Sequence, residues 1–390
     1  MHPTTQKTSP EKNILCVLGM HRSGTSAVSG CLNILGIRLG SKLLRGRAKD
    51  NLRGFWEHSK LIEIHNDLLW ELGRTWDDVR ALPEAWWQTP VAIPYQKKIL
   101  RVLKNDFSPS STWGVKDPRM CLLLPLWLNL IQQLDRAPRF ILMVRHPLEI
   151  AESLQKRNGF SHEKSLWLYL QHMLSAEKLT RGFSRTFVRF EDLIQDPFST
   201  LKKTVYFDPV LLAKKKEQIR RFVSRRLRHH RADHIHPALK PYWACALALQ
   251  VHGVFEDAAR LGTGPEAAVL ENADHQLLSY GDMRCPVLLG HIQNLQDRIG
   301  VVHKNNRLLS RQIARRTRWA KSLNEDLQKK LRYAGYLDEV IGQLDEVIGQ
   351  VAGLTTALHK VHEQAVYPEA SCLRKSIQRL YQELSAPMTS

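Results

Sequence analysis

Residues 13–39 read NILCVLGMHRSGTSAVSGCLNILGIRL, and the fold turns on how that stretch is parsed. Ile14 to Leu18 is a short apolar run suited to a buried strand, and Gly19 to Gly24 supplies a loop. Ser23, Thr25 and Ser26 then open an apolar helix that Gly36 ends. A helix that starts from such a loop leaves several backbone N–H groups without intrahelical partners and carries partial positive charge at that end. Phosphate is the ligand this arrangement suits best. Arg22 adds a fixed cation with forked donors, and the hydroxyls of Ser23, Thr25 and Ser26 add more. The competing reading is a strand-to-helix turn that binds nothing.

The nucleotide-binding loop G-x-x-x-x-G-K-[ST] has its lysine where GMHRSGTS carries Thr25, which disfavours a standard Walker NTPase. Further along, strand-then-helix order repeats. TWGVKDPR at 112–119 is a short strand ending in Lys116, Asp117 and Arg119. RFILMV at 139–144 is the clearest buried strand; it delivers Arg145, followed by His146 and Pro147 and a helix bearing Ser153. SRTFVRFEDLIQDP at 184–197 is a further strand leading into a helix whose first turn holds Glu191 and Asp192, where the dipole favours carboxylates. The repetition predicts an α/β fold, a parallel sheet with helices on both faces. Ligands in such sheets gather at the carboxyl ends of strands, where Arg22, Lys116 and Arg145 fall. Arg145 with Ser153 reads as a second anion site, against a surface arginine and an ordinary helical serine.

Between the first two strands, FWEHSKLIEIHNDLLWELG at 55–73 has helical spacing at Leu61, Ile62, Leu68, Leu69 and Leu72, with Gly73 as the stop. Glu57 and His58 are expected in its first turn. Glu57 has two readings there: a carboxylate placed by the helix dipole, or a general base for an acceptor hydroxyl. His65 reads as packing or surface. Residues 74–111 carry Trp76, Trp86 and Trp87, which serve either as core packing or as flat faces lining an acceptor pocket.

The chain has 390 residues, 57 Lys+Arg against 38 Asp+Glu, a formal net charge of +19 and 43% hydrophobic residues. It is large enough for a full core and a second element. Such a charge balance calls for a polyanionic partner, and nucleotide, anionic polysaccharide, nucleic acid and membrane surface all fit. Cysteines 16, 31, 121, 245, 285 and 372 show no metal-ligand spacing and read as reduced thiols of a cytoplasmic protein. No ligand cluster for a metal is apparent. Residues 1–12 read as a polar, disordered tail without a signal peptide, and no run is long and apolar enough for a transmembrane segment. Met120 to Ile131, interrupted by Pro125, reads as a core helix.

KKKEQIRRFVSRRLRHHR, residues 214–231, has nine Lys/Arg against one Glu and an apolar stripe of Ile219, Phe222, Val223 and Leu227. It is expected to form one basic amphipathic helix, either a solvated face or a polyanion site. A helix from Trp243 to Ala259 closes a domain spanning 13–260, and 261–286 reads as a linker. From Ile292 to His362 one heptad register runs without a break, with 16 of 21 a and d positions apolar, Ile prevalent at a, Leu at d and Asn306 at one a site. That predicts a coiled coil over 287–363 forming a parallel dimer, with a hairpin folded back on the domain as the alternative; 364–390 is a tail with a short helix.

Taken together, GMHRSGTS, KDPR and VRHPLEIAESLQKRNG resemble the sulfotransferases that use 3′-phosphoadenosine 5′-phosphosulfate, in their bacterial and Golgi-type branches. The resemblance covers about residues 13–260. It implies the P-loop-like sulfotransferase fold and transfer of a sulfuryl group to an acceptor hydroxyl, with carbohydrate as the acceptor class. The loop of His21, Arg22, Ser23, Gly24, Thr25 and Ser26 would hold the 5′-phosphosulfate, and Arg145 with Ser153 the 3′-phosphate. Lys116 matches a family lysine that a histidine base follows in the cytosolic branch. No histidine follows it here, so the base lies elsewhere; members of the family that use a glutamate base suggest Glu57, with Asp117 as the second candidate. Expected partners are the donor, a glycan acceptor and a second copy through the coiled coil, with no specific nucleic acid. A kinase with a degenerate loop and a non-catalytic coiled-coil scaffold are the competing functions.

Overall fold

Four short stretches become strands: β1 Asn13–Leu18, β2 Thr112–Lys116, β3 Ala137–Val144 and β4 Ser184–Arg189. All pair in parallel, in the order β2-β1-β3-β4. The computed structural model describes residues 12–44, 46, 54–107, 110–204, 209–223 and 243–283, with 308–326 and shorter pieces of the C-terminal third. The chain divides into two compact units, Met1–Pro286 and Val287–Ser390.

Parallel strands need crossovers, and the first unit supplies helices for both faces. They are α1 Thr25–Ile34, α2 Ser59–Glu71, α3 Ile93–Asp106, α4 Met120–Gln133, α5 Pro147–Asn158 and α6 His162–Leu179. After β4 come α7 Phe190–Gln195, α8 Pro197–Lys203, α9 Pro209–Lys214, α10 Lys216–Phe222, α11 Trp243–Leu261 and α12 Ala267–Met283. Side-chain alternation along the strands separates two cores. Cys16, Leu18, Leu142 and Val144 pack on one face with α4, α6 and α11. Leu15, Val17, Ile141 and Met143 pack on the other with α1, α7 and α10. Each of these strand side chains is fully buried, a contribution of roughly 1.5–3 kcal/mol for a residue of that size.

The strand order places the site. From β1 the chain crosses to β2 on one side and then to β3 on the other, so β1 lies where the winding direction changes. Ligand crevices of open α/β sheets form at the carboxyl ends of strands at such a point. The loop 19–24 leaves β1 there.

Several sequence expectations change. Pro125 does not interrupt α4, which runs through it to Gln133 inside a sheath of fully buried Leu123, Leu124, Leu126 and Trp127. The basic stretch is not one helix. It divides between α9 and α10 at Lys215, and Val223 turns extended (φ −90°, ψ 107°); residues 224–231, Leu227 among them, lie outside the described residues. Most of the 261–286 segment expected as a linker is helix α12, which docks on α6 and α11 through Leu270, Ala273 and Leu277. Glu57 lies ahead of α2 rather than in its first turn, because His58 is the N-cap and accepts from Leu61 N–H. Cys16, Cys31, Cys121 and Cys245 are buried free thiols.

In the second unit, residues 308–326 are helical. The heptad stretch from Ile292 to His362 otherwise lies largely outside the described residues, as do the tails 1–11 and 364–390. No described helix is long and apolar enough to cross a membrane.

Candidate active site

The loop after β1 is shaped by three left-handed residues: Gly19 (φ 142°), Arg22 (φ 71°) and Gly24 (φ 94°). Gly24 is the N-cap of α1 and offers no side-chain cap. A Cβ there would lie 2.3 Å from a ring carbon of Phe190, so the position is closed to any other residue twice over. Ser23 N–H donates to the Met20 carbonyl (3.1 Å) and Gly19 N–H to Cys121 Sγ (3.2 Å), which ties the loop to α4. Arg22 has no such excuse for its conformation; a non-glycine residue pays about 1–2 kcal/mol for it. The gain is that its backbone and side chain serve two partners at once.

Those partners are the predicted second anion site. Arg22 Nε donates to Ser153 Oγ at 2.8 Å, and Arg145 donates to the Arg22 carbonyl at 2.7 Å. Arg145 is itself aimed by Glu149, one turn on (3.0 Å), and its guanidinium lies 4.5 Å from the centroid of the Phe190 ring. Burial lowers the Arg145 guanidinium from its ordinary value, and the Glu149 carboxylate opposes that. Arg22, Arg145 and Ser153 therefore form one continuous cluster.

A second cluster meets the same loop four residues on. Lys116, the last residue of β2, donates to Glu57 Oε1 (2.5 Å), to the Phe55 carbonyl (2.8 Å) and to Ser26 Oγ (3.2 Å). Ser26 Oγ also donates to the Phe55 carbonyl (3.2 Å). Glu57 is held in place through its backbone. Its carbonyl accepts from Leu44 N–H (2.8 Å), and Ser59 N–H donates to the Lys42 carbonyl (2.8 Å). Behind it, the His58 ring meets Asp106 at 2.8 Å. Burial would raise the Asp106 carboxyl, but the Ser41 N–H and the His58 ring outweigh it and hold it at about 2.

Asp117 takes a different course. Its Oδ2 meets His65 Nδ1 (2.8 Å), and its Oδ1 accepts from Arg119 N–H (3.0 Å) and the Arg119 guanidinium (2.9 Å). Trp127 donates to His65 Nε2 at 3.0 Å, so His65 carries its proton on Nδ1 and gives it to Asp117. Burial pushes the Asp117 carboxyl up, yet the charge of Arg119 and these hydrogen bonds win and hold it far below the usual range.

His21 is 8% exposed, its ring centroid 4.2 Å from that of Trp76, and its Nε2 has no hydrogen-bond partner among the described residues. Burial, together with Arg119, Arg157 and His172, keeps the ring neutral by lowering its pKa well below the ordinary value. Ser23 Oγ is likewise buried without a partner among the described residues, and Thr25 is buried. Trp76 continues the aromatic strip to Phe160 (5.8 Å), with Arg157 5.6 Å from its ring. Trp86 by contrast is core, 3% exposed and edge-on to Trp87.

Sequence reasoning assigned no role to Phe55, Glu149 and His172, and picked out Phe190 only as part of FEDL at 190–193. Glu149 could have been found from its i+4 spacing after Arg145. The others act through a backbone carbonyl or long-range packing, which leaves no local pattern.

No protein-family model matches the chain, and no curated protein matches it. Among solved structures it is similar to a sulfotransferase domain from the Synechococcus PCC 7002 olefin synthase, at 19% identity and a TM-score of 0.37, over 66% of this chain and 98% of that one. It is also similar to a sulfotransferase domain from the curacin biosynthetic pathway, at 19% identity and a TM-score of 0.30, over 52% of this chain and 77% of that one.

Proposed function

We propose that the chain transfers a sulfuryl group from 3′-phosphoadenosine 5′-phosphosulfate to an acceptor hydroxyl, with carbohydrate as the acceptor class. One observation carries the reading: two buried cationic stations meet a single loop, Arg145 at the Arg22 carbonyl (2.7 Å) and Lys116 at Ser26 (3.2 Å). A donor with phosphate at one end and phosphosulfate at the other suits two stations better than one. Arg145 and Ser153 would take the 3′-phosphate, and the loop from His21 to Ser26, Arg22 included, the 5′-phosphosulfate, with the first-turn N–H groups of α1 completing the cradle.

In the reaction the acceptor oxygen attacks sulfur as the bond from sulfur to the bridging oxygen breaks, leaving 3′,5′-bisphosphoadenosine. Positioning and charge neutralisation carry most of the barrier reduction, as in phosphoryl transfer. Arg22 and Lys116 face the charge that grows on the leaving oxygen. Glu57, with Lys116 on Oε1, takes the hydroxyl proton on Oε2. Asp117 is the weaker candidate, since both its oxygens are already engaged. The His21–Trp76–Phe160 strip beside the loop supports a sugar acceptor, because flat aromatic faces pack against sugar C–H surfaces.

Calorimetry with 3′,5′-bisphosphoadenosine against ADP tests the donor. A micromolar preference for the former is expected, and equal affinity refutes the reading. Turnover in excess chelator separates this chemistry from that of a Mg-ATP-dependent kinase.

A further inference from the structure

Three residues after Lys116 a further guanidinium stands at the same sheet edge, with no task in the donor site. Arg119 is the N-cap of α4 and is 8% exposed. Its Nε donates to Asn66 Oδ1 (2.6 Å) and its Nη1 to Asp117 Oδ1 (2.9 Å), which fixes the plane of the group. Nη2 has no hydrogen-bond partner among the described residues. A buried guanidinium held on two nitrogens and open on the third is preorganised for an oxyanion. The backbone brings it to the donor loop. Val17 of β1 pairs with Lys116 of β2, and Gly19 N–H donates to Cys121 Sγ (3.2 Å), so the turn into α4 lies against the loop that carries His21.

The charge of Arg119 reaches two buried histidines, His21 and His172, and that of Arg157 reaches His21. The two rings meet edge-on with centroids 6.3 Å apart. His172 Nδ1 gives its proton to the Leu168 carbonyl (2.8 Å), which leaves Nε2 a bare acceptor, buried and without a partner among the described residues. His21 Nε2 is unpartnered in the same way. Bare acceptors beside an open guanidinium suit a ligand that brings both hydroxyls and negative charge. Lys164, over the Phe160 ring (4.1 Å), is already paired with Asp77 (2.8 Å), and both oxygens of Asp117 are engaged. An added anion therefore falls to Arg119, with Arg157, 5.6 Å from the Trp76 ring, as its second cation. The donor's two charged ends have Arg145 and Lys116. We propose that Arg119 and Arg157 hold an acid group, a carboxylate or a sulfate ester, carried by the acceptor sugar. The inference rests on the proposed transfer to a sugar hydroxyl and narrows the acceptor to acidic sugars.

The test titrates full-length protein by calorimetry with methyl β-glucoside, methyl β-glucuronide and methyl β-glucoside 6-sulfate, each with and without saturating 3′,5′-bisphosphoadenosine. With the nucleotide bound, an acidic sugar should bind about tenfold or more tighter than the neutral one, and the tighter of the two identifies the acid. Arg157→Gln should cut that preference about threefold or more, with nucleotide affinity as in the parent. Arg119→Lys keeps a cation for Asp117 but not the fork, and should lose most of the preference. No binding of either acidic sugar, equal affinity for all three sugars, or a preference that both variants keep overturns the proposal. An Arg119→Lys protein that loses the nucleotide and keeps the sugar preference overturns it too, giving the guanidinium to the donor. Failure of the donor reading shows separately, as a parent with no preference for 3′,5′-bisphosphoadenosine over ADP, and the titrations without nucleotide then still report on the acid site.

Discussion

Replacing Lys116 with methionine removes the ammonium that Glu57 faces at 2.5 Å and keeps most of the side chain's length and apolar volume. Lys116 is 3% exposed and Glu57 7%, so the carboxylate left behind stays buried with its partner gone. Breaking a buried pair by deleting one member costs about 3–5 kcal/mol, most of it the penalty of the stranded charge. For a unit of this size that corresponds to a fall in Tm of roughly 10 °C. Glu57→Gln is milder, because Lys116 keeps the Phe55 carbonyl and Ser26 Oγ. Lys116→Met/Glu57→Gln removes both charges together and should be more stable than Lys116→Met alone, with a coupling of about 2 kcal/mol or more in a double-mutant cycle. Urea unfolding of the four proteins measures it. In parallel, Glu57→Gln should bind 3′,5′-bisphosphoadenosine normally while losing transfer. Additive effects, or a Lys116→Met protein within about 0.5 kcal/mol of the parent, would show that the two groups are not a buried pair. Full turnover by Glu57→Gln would remove it as the base.

Gly24→Ala should lower stability by roughly 2–5 kcal/mol and abolish donor binding, since it combines a left-handed backbone with a Cβ 2.3 Å from Phe190; a Tm unchanged by the substitution would contradict the loop geometry. Ser153→Ala leaves Arg22 Nε without its acceptor and should weaken 3′,5′-bisphosphoadenosine binding about tenfold or more by calorimetry, with unfolding little changed. Burial lowers the pKa of His172 to about 4, below its unfolded value of about 6.5. The folded protein thus binds fewer protons, so this stability is complete above about pH 6.5 and is lost as pH falls through about 4, on the order of 3 kcal/mol in all. Burial shifts His252 the same way. In urea titrations across that range His172→Leu should flatten part of the slope, and an unaltered slope would exclude His172 as a contributor.

The sheet was legible because its signal is local. The strands are short, five to eight residues, each followed closely by a helix, and Phe140 to Val144, buried on both faces, could hardly be anything else. The loop was legible as a turn for a related reason: Gly19 and Gly24, which bracket it, both adopt left-handed backbone, and α1 starts at Thr25. Helix α12 was missed because its core contacts, Leu270, Ala273 and Leu277, are sparse and the flanking LGTGP and Cys-Pro signals dominate. In 214–231 the apolar stripe was real, since Ile219 is fully buried, but the backbone breaks at Lys215 for reasons of packing on α1 and α8 that no periodicity records. Glu57 was found as a residue and misplaced as a position. What holds it is a pairing of residues 42–44 with 57–59, and Asp106 behind His58, contacts that span tens of residues.

The two adjacent candidates Lys116 and Asp117 show where sequence reasoning reaches its limit and what geometry adds. Neighbouring residues at a strand end point to opposite sides, so this pair had to divide, but nothing in KDPR says which member turns toward the loop. The packing decides it. Lys116 goes with Ser26 and Glu57, while Asp117 goes with His65, whose tautomer is set from behind by Trp127. With Oδ1 receiving two donors from Arg119 and Oδ2 the His65 proton, a further proton on Asp117 would displace a bond already made, in a site that holds the carboxyl far below its usual pKa. A base must gain a proton during turnover, and Asp117 is built to refuse one. Glu57 spends a single oxygen on Lys116, and for that reason it is the carboxylate we propose as the proton's acceptor.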